Sequence, residues 1–212
     1  MIDFDAQAQV WDDNPGRLIW IRGVAAAIRE AVPLSTEMRA LDYGCGTGAL
    51  SFLLHQDLGC ITLADSSSGM VARVTEKIAA SGIETMDPVQ LDLLTDPLPE
   101  ARYDVVYSMM ALHHIPNTAA ILRRLYAVTR PGGWLCLVDL DAEDGTFHGL
   151  DVDVHHGFNR EALRELLARA GWTVGRITTC WEIEHQTTTG TKVYPLFLAV
   201  AQRKVEDRVA AQ

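Results

Sequence analysis

Short apolar runs alternate along the chain with stretches whose apolar residues recur at helical spacing. Met38 to Tyr43 reads as a first strand running into glycines, and Gly59 to Ala64 as a second. Val89 to Leu93 reads as a short third and Tyr103 to Ser108 as a fourth. Trp134 to Leu140 is the fifth, launched by the turn Pro131-Gly132-Gly133. Such nearly continuous apolar runs suit parallel strands buried on both faces.

Helices fall between them. Residues 16–31 form one before the first strand. Thr118 to Thr129 places Ile121, Leu122, Leu125 and Val128 on one face, with Asn117 as N-cap. Asn159 to Ala170 repeats Leu163, Leu166, Leu167 and Ala170 at helical spacing, and Gly171 stops it. Two further strands, Trp172 to Trp181 and Lys192 to Ala201, follow with only the polar segment Glu182 to Thr191 between them, read as a loop. Pro195 predicts an edge or a bend where the second of these begins. Alternation of this kind predicts a doubly wound α/β sheet closed by an antiparallel hairpin.

Composition changes this picture little. A chain of 212 residues, 48% hydrophobic and 22% charged, suits one sizeable α/β domain. No run of about 18 apolar residues is present, so no membrane contact is expected. The start, Met1-Ile2-Asp3-Phe4-Asp5, lacks the basic and apolar regions of a secretory signal. Cys45, Cys60, Cys136 and Cys180 form no CxxC pair and read as buried free thiols in a reducing compartment, which predicts a cytoplasmic location. The net charge of −10 repels phosphate backbones, so no nucleic-acid partner is expected. Arg123, Arg124 and Arg130, the nearest approach to a basic cluster, read as a solvated helix face.

Candidate chemistry centres on Leu41-Asp42-Tyr43-Gly44-Cys45-Gly46-Thr47-Gly48, which follows a strand and opens a helix. Glycines there let the backbone approach a ligand, and the helix start offers free N–H groups. The spacing is GxGxG and not the dinucleotide GxGxxG. Asp42 would repel a pyrophosphate but suits a ligand carrying an ammonium. Asp65, ending the second strand, can accept both hydroxyl protons of a ribose.

In these motifs the chain resembles the class I, Rossmann-like S-adenosylmethionine-dependent methyltransferases of small-molecule type, over roughly residues 35–201. The resemblance implies a doubly wound, seven-stranded, mostly parallel sheet with an antiparallel last strand. It further implies an N-terminal helical segment over the site (1–34), the cofactor-binding domain (35–203) and a polar tail (204–212). Gly44, Gly46 and Gly48 would pass under the methionine part of the cofactor, with Asp42 serving its ammonium. Asp65 would hold the ribose and open the run Ser66-Ser67-Ser68-Gly69-Met70, in which Ser66 and Met70 match the family's motif. Asp92 would accept from the adenine amine, between Leu91 and Leu93. Ser108 and Met109, ending the fourth strand, would face the cofactor, and the methyl would point toward Met109, His113 and the loop after Leu140.

Methyl transfer asks mainly for positioning and desolvation, and for a base only where the acceptor carries a proton. His113 is the candidate catalytic residue. His113, His114, His155, His156 and Trp11 are candidate substrate contacts. His148, Asp151, Asp153, His155 and His156 gather residue types that suit a metal, but their spacing matches no zinc motif, so no metal is expected. The function implied is methyl transfer from S-adenosylmethionine to an unidentified, small-molecule acceptor. Three alternatives stay open: an NAD-dependent oxidoreductase, a non-catalytic cofactor-binding module, and an RNA or protein methyltransferase. Ser108-Met109-Met110-Ala111 stands where a nucleobase-amine enzyme would carry an Asn-Pro-Pro-Tyr-type motif.

Overall fold

The computed structural model describes residues 3–13, 15–149, 152–187 and 190–205. After a short helix α1 (Phe4–Gln7) and a long α2 (Pro15–Ala31), strands and helices alternate. They are β1 (Arg39–Tyr43), α3 (Ala49–Leu54), β2 (Cys60–Asp65), α4 (Ser68–Ser81), β3 (Met86–Gln90), β4 (Tyr103–Met109), α5 (Thr118–Val128), β5 (Thr129–Leu140) and α6 (Arg160–Arg169). The chain closes with β6 (Trp172–Thr187) and β7 (Gly190–Arg203). A single 3-10 turn, Leu112–His114, follows β4.

The seven strands form one sheet in the order β3-β2-β1-β4-β5-β7-β6. The first five are parallel, and β7 runs antiparallel to both of its neighbours. Alternate residues of each central strand feed two cores. On one face Val105, Tyr107, Cys136 and Val138 pack with Ile21, Val24 and Ile28 of α2, Leu50 and Leu54 of α3 and Val74 of α4. On the other, Val106, Leu135 and Leu137 pack with Ile121, Leu125 and Leu163 of α5 and α6. Strand order reverses between β1 and β4, so their carboxyl ends diverge into the crevice where open α/β sheets take ligands.

Local signals set the helix starts. Ser67 Oγ accepts from Met70 N–H at 3.1 Å to open α4, Asn117 caps α5, and Asn159 accepts from Glu161 and Ala162 N–H to open α6.

Four expectations need correction. The third strand lies three residues earlier than its apolar signal. It ends at Gln90 because its partner β2 turns away into α4 after Asp65, and Asp87 and Pro88 mask its start. The segment Glu182 to Thr191 is not a loop: β6 and β7 stay paired from Glu182↔Pro195 out to Thr187↔Gly190. Beyond Leu140↔Leu196 no β5 residue flanks this ribbon, so polar side chains can line it without being buried. Pro195 sits at that boundary, where a missing N–H is tolerated. All four cysteines are free, but only Cys136 is fully buried. Arg124 is not a solvated residue, because its guanidinium is half-buried and donates to Leu93 O at 2.5 Å and to Asp96 O. Residues 206–212 of the polar tail lie outside the described residues.

Candidate active site

The glycine loop lies across the carboxyl ends of β1 and β2. Gly44, Gly46 and Gly48 all have positive φ, at 72°, 53° and 79°. Gly44 faces the exit of β4 so closely that a Cβ there would stand 2.5 Å from Ala111 Cβ. Gly48 opens α3 against Val74 and Leu63, with 2.6 Å and 3.0 Å left for a Cβ. The loop is fixed to β2: Gly44 and Cys45 N–H donate to Ala64 O, and Gly46 N–H donates to Asp65 Oδ2 at 2.8 Å. Asp65 Oδ1 accepts Ser67 N–H at 2.9 Å. Each Asp65 oxygen keeps a second lone pair for a ligand hydroxyl. Burial raises the Asp65 carboxyl above its ordinary range, opposed by these N–H donors.

Asp42 lies beneath the loop and is only 2% exposed. Ser51 Oγ donates to Asp42 Oδ2 at 2.6 Å and stands 2.7 Å from Tyr107 Oη. Burial, with a smaller push from Asp65, lifts the Asp42 carboxyl to about 7 despite the Ser51 bond.

Past β3 the chain makes a tight turn. Asp92 Oδ1 accepts Leu94 N–H at 2.9 Å, Asp92 N–H donates to Asp96 Oδ2, and Tyr43 Oη lies between Asp92 and Leu93 N–H. Leu91 is half-buried at the mouth, whereas Leu93 packs fully into the second core.

Residues 3–13 form a strap over this crevice. Asp5 takes Ser67 Oγ–H at 2.5 Å and Gly69 N–H at 2.8 Å at the start of α4. The Ser67 hydroxyl bond chiefly holds its carboxyl below the usual range. Asp12 accepts from Thr47 Oγ1 at 2.6 Å and pairs with Lys77 at 2.9 Å. Trp11 lies over the loop, its Nε1 3.6 Å from where a Gly46 Cβ would stand, with the Arg17 guanidinium 4.4 Å from its ring centroid.

The exit of β4 bends sharply. Met110 is the one non-glycine described residue with positive φ, at 54°. The turn it starts carries His113 and His114. His113 is 1% exposed; its Nδ1 lies 2.6 Å from Asp139 Oδ1, and its Nε2 lies 2.9 Å from His148 Nε2. A carboxylate partner at Nδ1 places the ring proton there. His114 stands edge-on to Phe4 of the strap, centroids 5.0 Å apart. Burial, followed by repulsion from neighbouring imidazoles, lowers His114 to about 3 and His148 to about 4, so both are neutral near pH 7.

Comparison with known proteins agrees with this geometry. Residues 40–133 match a methyltransferase domain. An uncharacterized methyltransferase of Mycobacterium tuberculosis is 35% identical over 113 residues, 53% of this chain and 55% of the relative. A malonyl-[acyl-carrier protein] O-methyltransferase of Enterobacter lignolyticus is 33% identical over 155 residues, 69% of this chain and 59% of the relative. A SAM-dependent methyltransferase of Aquifex aeolicus superposes with a TM-score of 0.73 at 20% identity, covering 95% of this chain and 99% of that one. Residues 40–133 of this chain carry a methyltransferase domain, and its fold is the Rossmann-like one of such enzymes. The chain spans just over half the length of the curated relatives it matches.

Within this methyltransferase domain the expected site residues do not all converge. Asp42, Gly44, Gly46, Gly48, Asp65, Ser66 and Asp92 gather at the ends of β1, β2 and β3. Met70 and Ser108 are buried behind them, at 1% and 3% exposure, and Met109 is half-buried at the exit of β4. Trp11 lies over the glycine loop, whereas His113 and His114 stand on the turn after β4. His155 is engaged elsewhere: its Nε2 lies 3.1 Å from Ile115 O, and its N–H donates to His113 O. His156 is exposed and holds Glu143 through its carbonyl. The supposed cluster around it is therefore split, with His148 turned to His113 and Asp151 outside the described residues.

Asp139, Asp5 and Asp12 make contacts around the crevice that sequence reading missed. Asp139 had a signal, a carboxylate inside the apolar run Leu135–Leu140. Asp5 and Asp12 had none beyond their charge.

Proposed function

We propose that the domain transfers a methyl group from S-adenosylmethionine to an oxygen of a small-molecule acceptor. The carrying observation is the crevice at the carboxyl ends of β1 and β4, where a glycine loop with three positive φ angles lies directly beside the Asp65 carboxylate at the end of β2. Its acceptors fit the cofactor: Asp65 for vicinal hydroxyls, Asp92 Oδ2 for an amine, and buried Asp42, whose carboxyl titrates near 7 and whose ionised form an ammonium above it would favour. The Asp42 carboxylate acts at a distance, through the loop or a water, because its own contact is Ser51. When bound, the cofactor supplies an electrophilic methyl on a good leaving group.

The chain's own contribution is placement. The strap, through Trp11 and Phe4, excludes water and holds the two rims of the crevice together. Met109 and the Met110 bend direct the exit of β4 toward the acceptor. An acceptor hydroxyl must shed its proton on transfer, and His113 and His148 are the groups in place to direct it. Oxygen is favoured as the acceptor atom because the malonyl-[acyl-carrier protein] relative is named an O-methyltransferase. The acidic surface favours a small molecule over RNA, and a reducing, cytoplasmic setting remains part of this reading.

The test is calorimetric titration of the purified chain with S-adenosylmethionine, S-adenosylhomocysteine and NAD, with Asp65→Ala alongside and its fold checked by circular dichroism. Micromolar binding of the first two, lost in the variant, is expected. Binding of NAD alone overturns the reading.

A further inference from the structure

We propose that His113, His114 and His148 form a three-histidine site for a divalent transition metal, zinc foremost, at the exit of β4. One ligand atom from each lies within 4.8 Å of the others. Tetrahedral zinc holds imidazole nitrogens at about 2.0–2.1 Å, so its nitrogen ligands stand roughly 3.4 Å apart. Side-chain rotations on the order of 1 Å close the set around an ion.

The arrangement is built for this and not merely crowded. His113 and His148 oppose Nε2 to Nε2 at 2.9 Å, where at most one nitrogen can carry a proton. A cation satisfies both lone pairs at once. Asp139 fixes the His113 ring through Nδ1, the outer-shell carboxylate that metal-bound histidines ordinarily have. Phe147 and Phe4 brace the other two rings edge-on, each at 5.0 Å between centroids. Three imidazoles with no cysteine or carboxylate in the first sphere suit zinc better than magnesium or calcium.

Three protein ligands leave a fourth position for an oxygen. It would bind the acceptor's hydroxyl and make that oxygen more acidic, so His113 would serve as a ligand and not as a free base. That use of the metal rests on the transfer reading above; the site itself does not.

The test is titration of the metal-free 212-residue chain with cobalt(II), followed by its visible absorption, and with zinc by calorimetry. One tetrahedral cobalt per chain is expected, displaced by zinc. His148→Ala and His114→Ala should each abolish the tetrahedral spectrum, while His156→Ala leaves it unchanged. S-adenosylhomocysteine binding, measured on the same metal-free samples, reports both the folding of each variant and the cofactor reading separately. No stoichiometric cobalt in the parent chain, or an unaltered spectrum in a folded His148→Ala, overturns the proposal.

Discussion

Asp139 grips His113 at two points, its Oδ1 at the ring Nδ1 and its Oδ2 at the backbone N–H, 2.6 Å and 3.1 Å away. Its Oδ1 also takes Leu140 N–H at 2.7 Å. Asp139→Asn keeps the volume but turns an amide donor toward at least one of these donors. A buried unpaired polar group costs about 1–3 kcal/mol, so a lower melting temperature is expected. Cobalt affinity should fall by about 10–100-fold, as for other outer-shell changes. Unaltered affinity in the folded variant would detach Asp139 from the histidine cluster.

Asp42 predicts a pH dependence of stability. Its carboxyl titrates near 7 in the folded chain against an ordinary 3.8, so folding favours the protonated form. The stability it confers is full below 3.8 and is lost as pH rises through about 7. Asp42→Asn removes that dependence. Its melting temperature relative to the parent should therefore be more favourable at about pH 8.5 than at about pH 5. A difference that stays flat between the two would assign the titration to another group.

Gly44 and Gly82 separate two costs of adding a methyl group. Both have positive φ, 72° and 69°, but a Cβ at Gly82 meets nothing within 4 Å. Gly82→Ala should lose only the left-handed penalty, about 1–2 kcal/mol. Gly44→Ala adds the 2.5 Å clash with Ala111, for roughly 1–3 kcal/mol more, and should weaken S-adenosylhomocysteine binding. Denaturant melts of both variants give the comparison; equal losses would refute it.

The strap should govern how long a ligand stays. Asp5 and Asp12 tie it to α4 and to the glycine loop through Ser67, Gly69, Thr47 and Lys77. Asp5→Ala with Asp12→Ala should speed S-adenosylhomocysteine release in stopped-flow measurements and expose residues 3–13 to limited proteolysis. Dissociation as slow as in the parent would mean that the strap is packing and not a closure.

The sheet and the cofactor crevice were legible because their signals are local. An apolar run ending in GxGxG, or in a single aspartate at Asp65, states its place within ten residues of sequence. The histidine cluster was not legible, because His148 reaches His113 across 35 positions and Asp139 does so across 26. Sequence proximity pointed His148 toward His155 and His156 instead. The hairpin was shortened for another reason: polarity in Glu182 and Glu184 marks solvent on a two-stranded ribbon, not the end of a strand. Asp5 hid its role because a carboxylate capping another helix's N-terminus leaves no pattern of its own.

The outermost strand has a consequence for handling the protein. β6 leaves one row of backbone N–H and C=O groups along the sheet's rim, the template on which chains stack into fibrils. Two register breaks, between Val174 and Ile177 and between Thr179 and Trp181, twist that rim out of flatness. Exposed Arg176, Glu182 and Glu184 place charges along it. A second molecule adding itself there would have to match both the kinks and the charges. The chain should therefore stay dispersed at the high concentrations that calorimetry requires, and neutralising Glu182 and Glu184 together should make it turbid first.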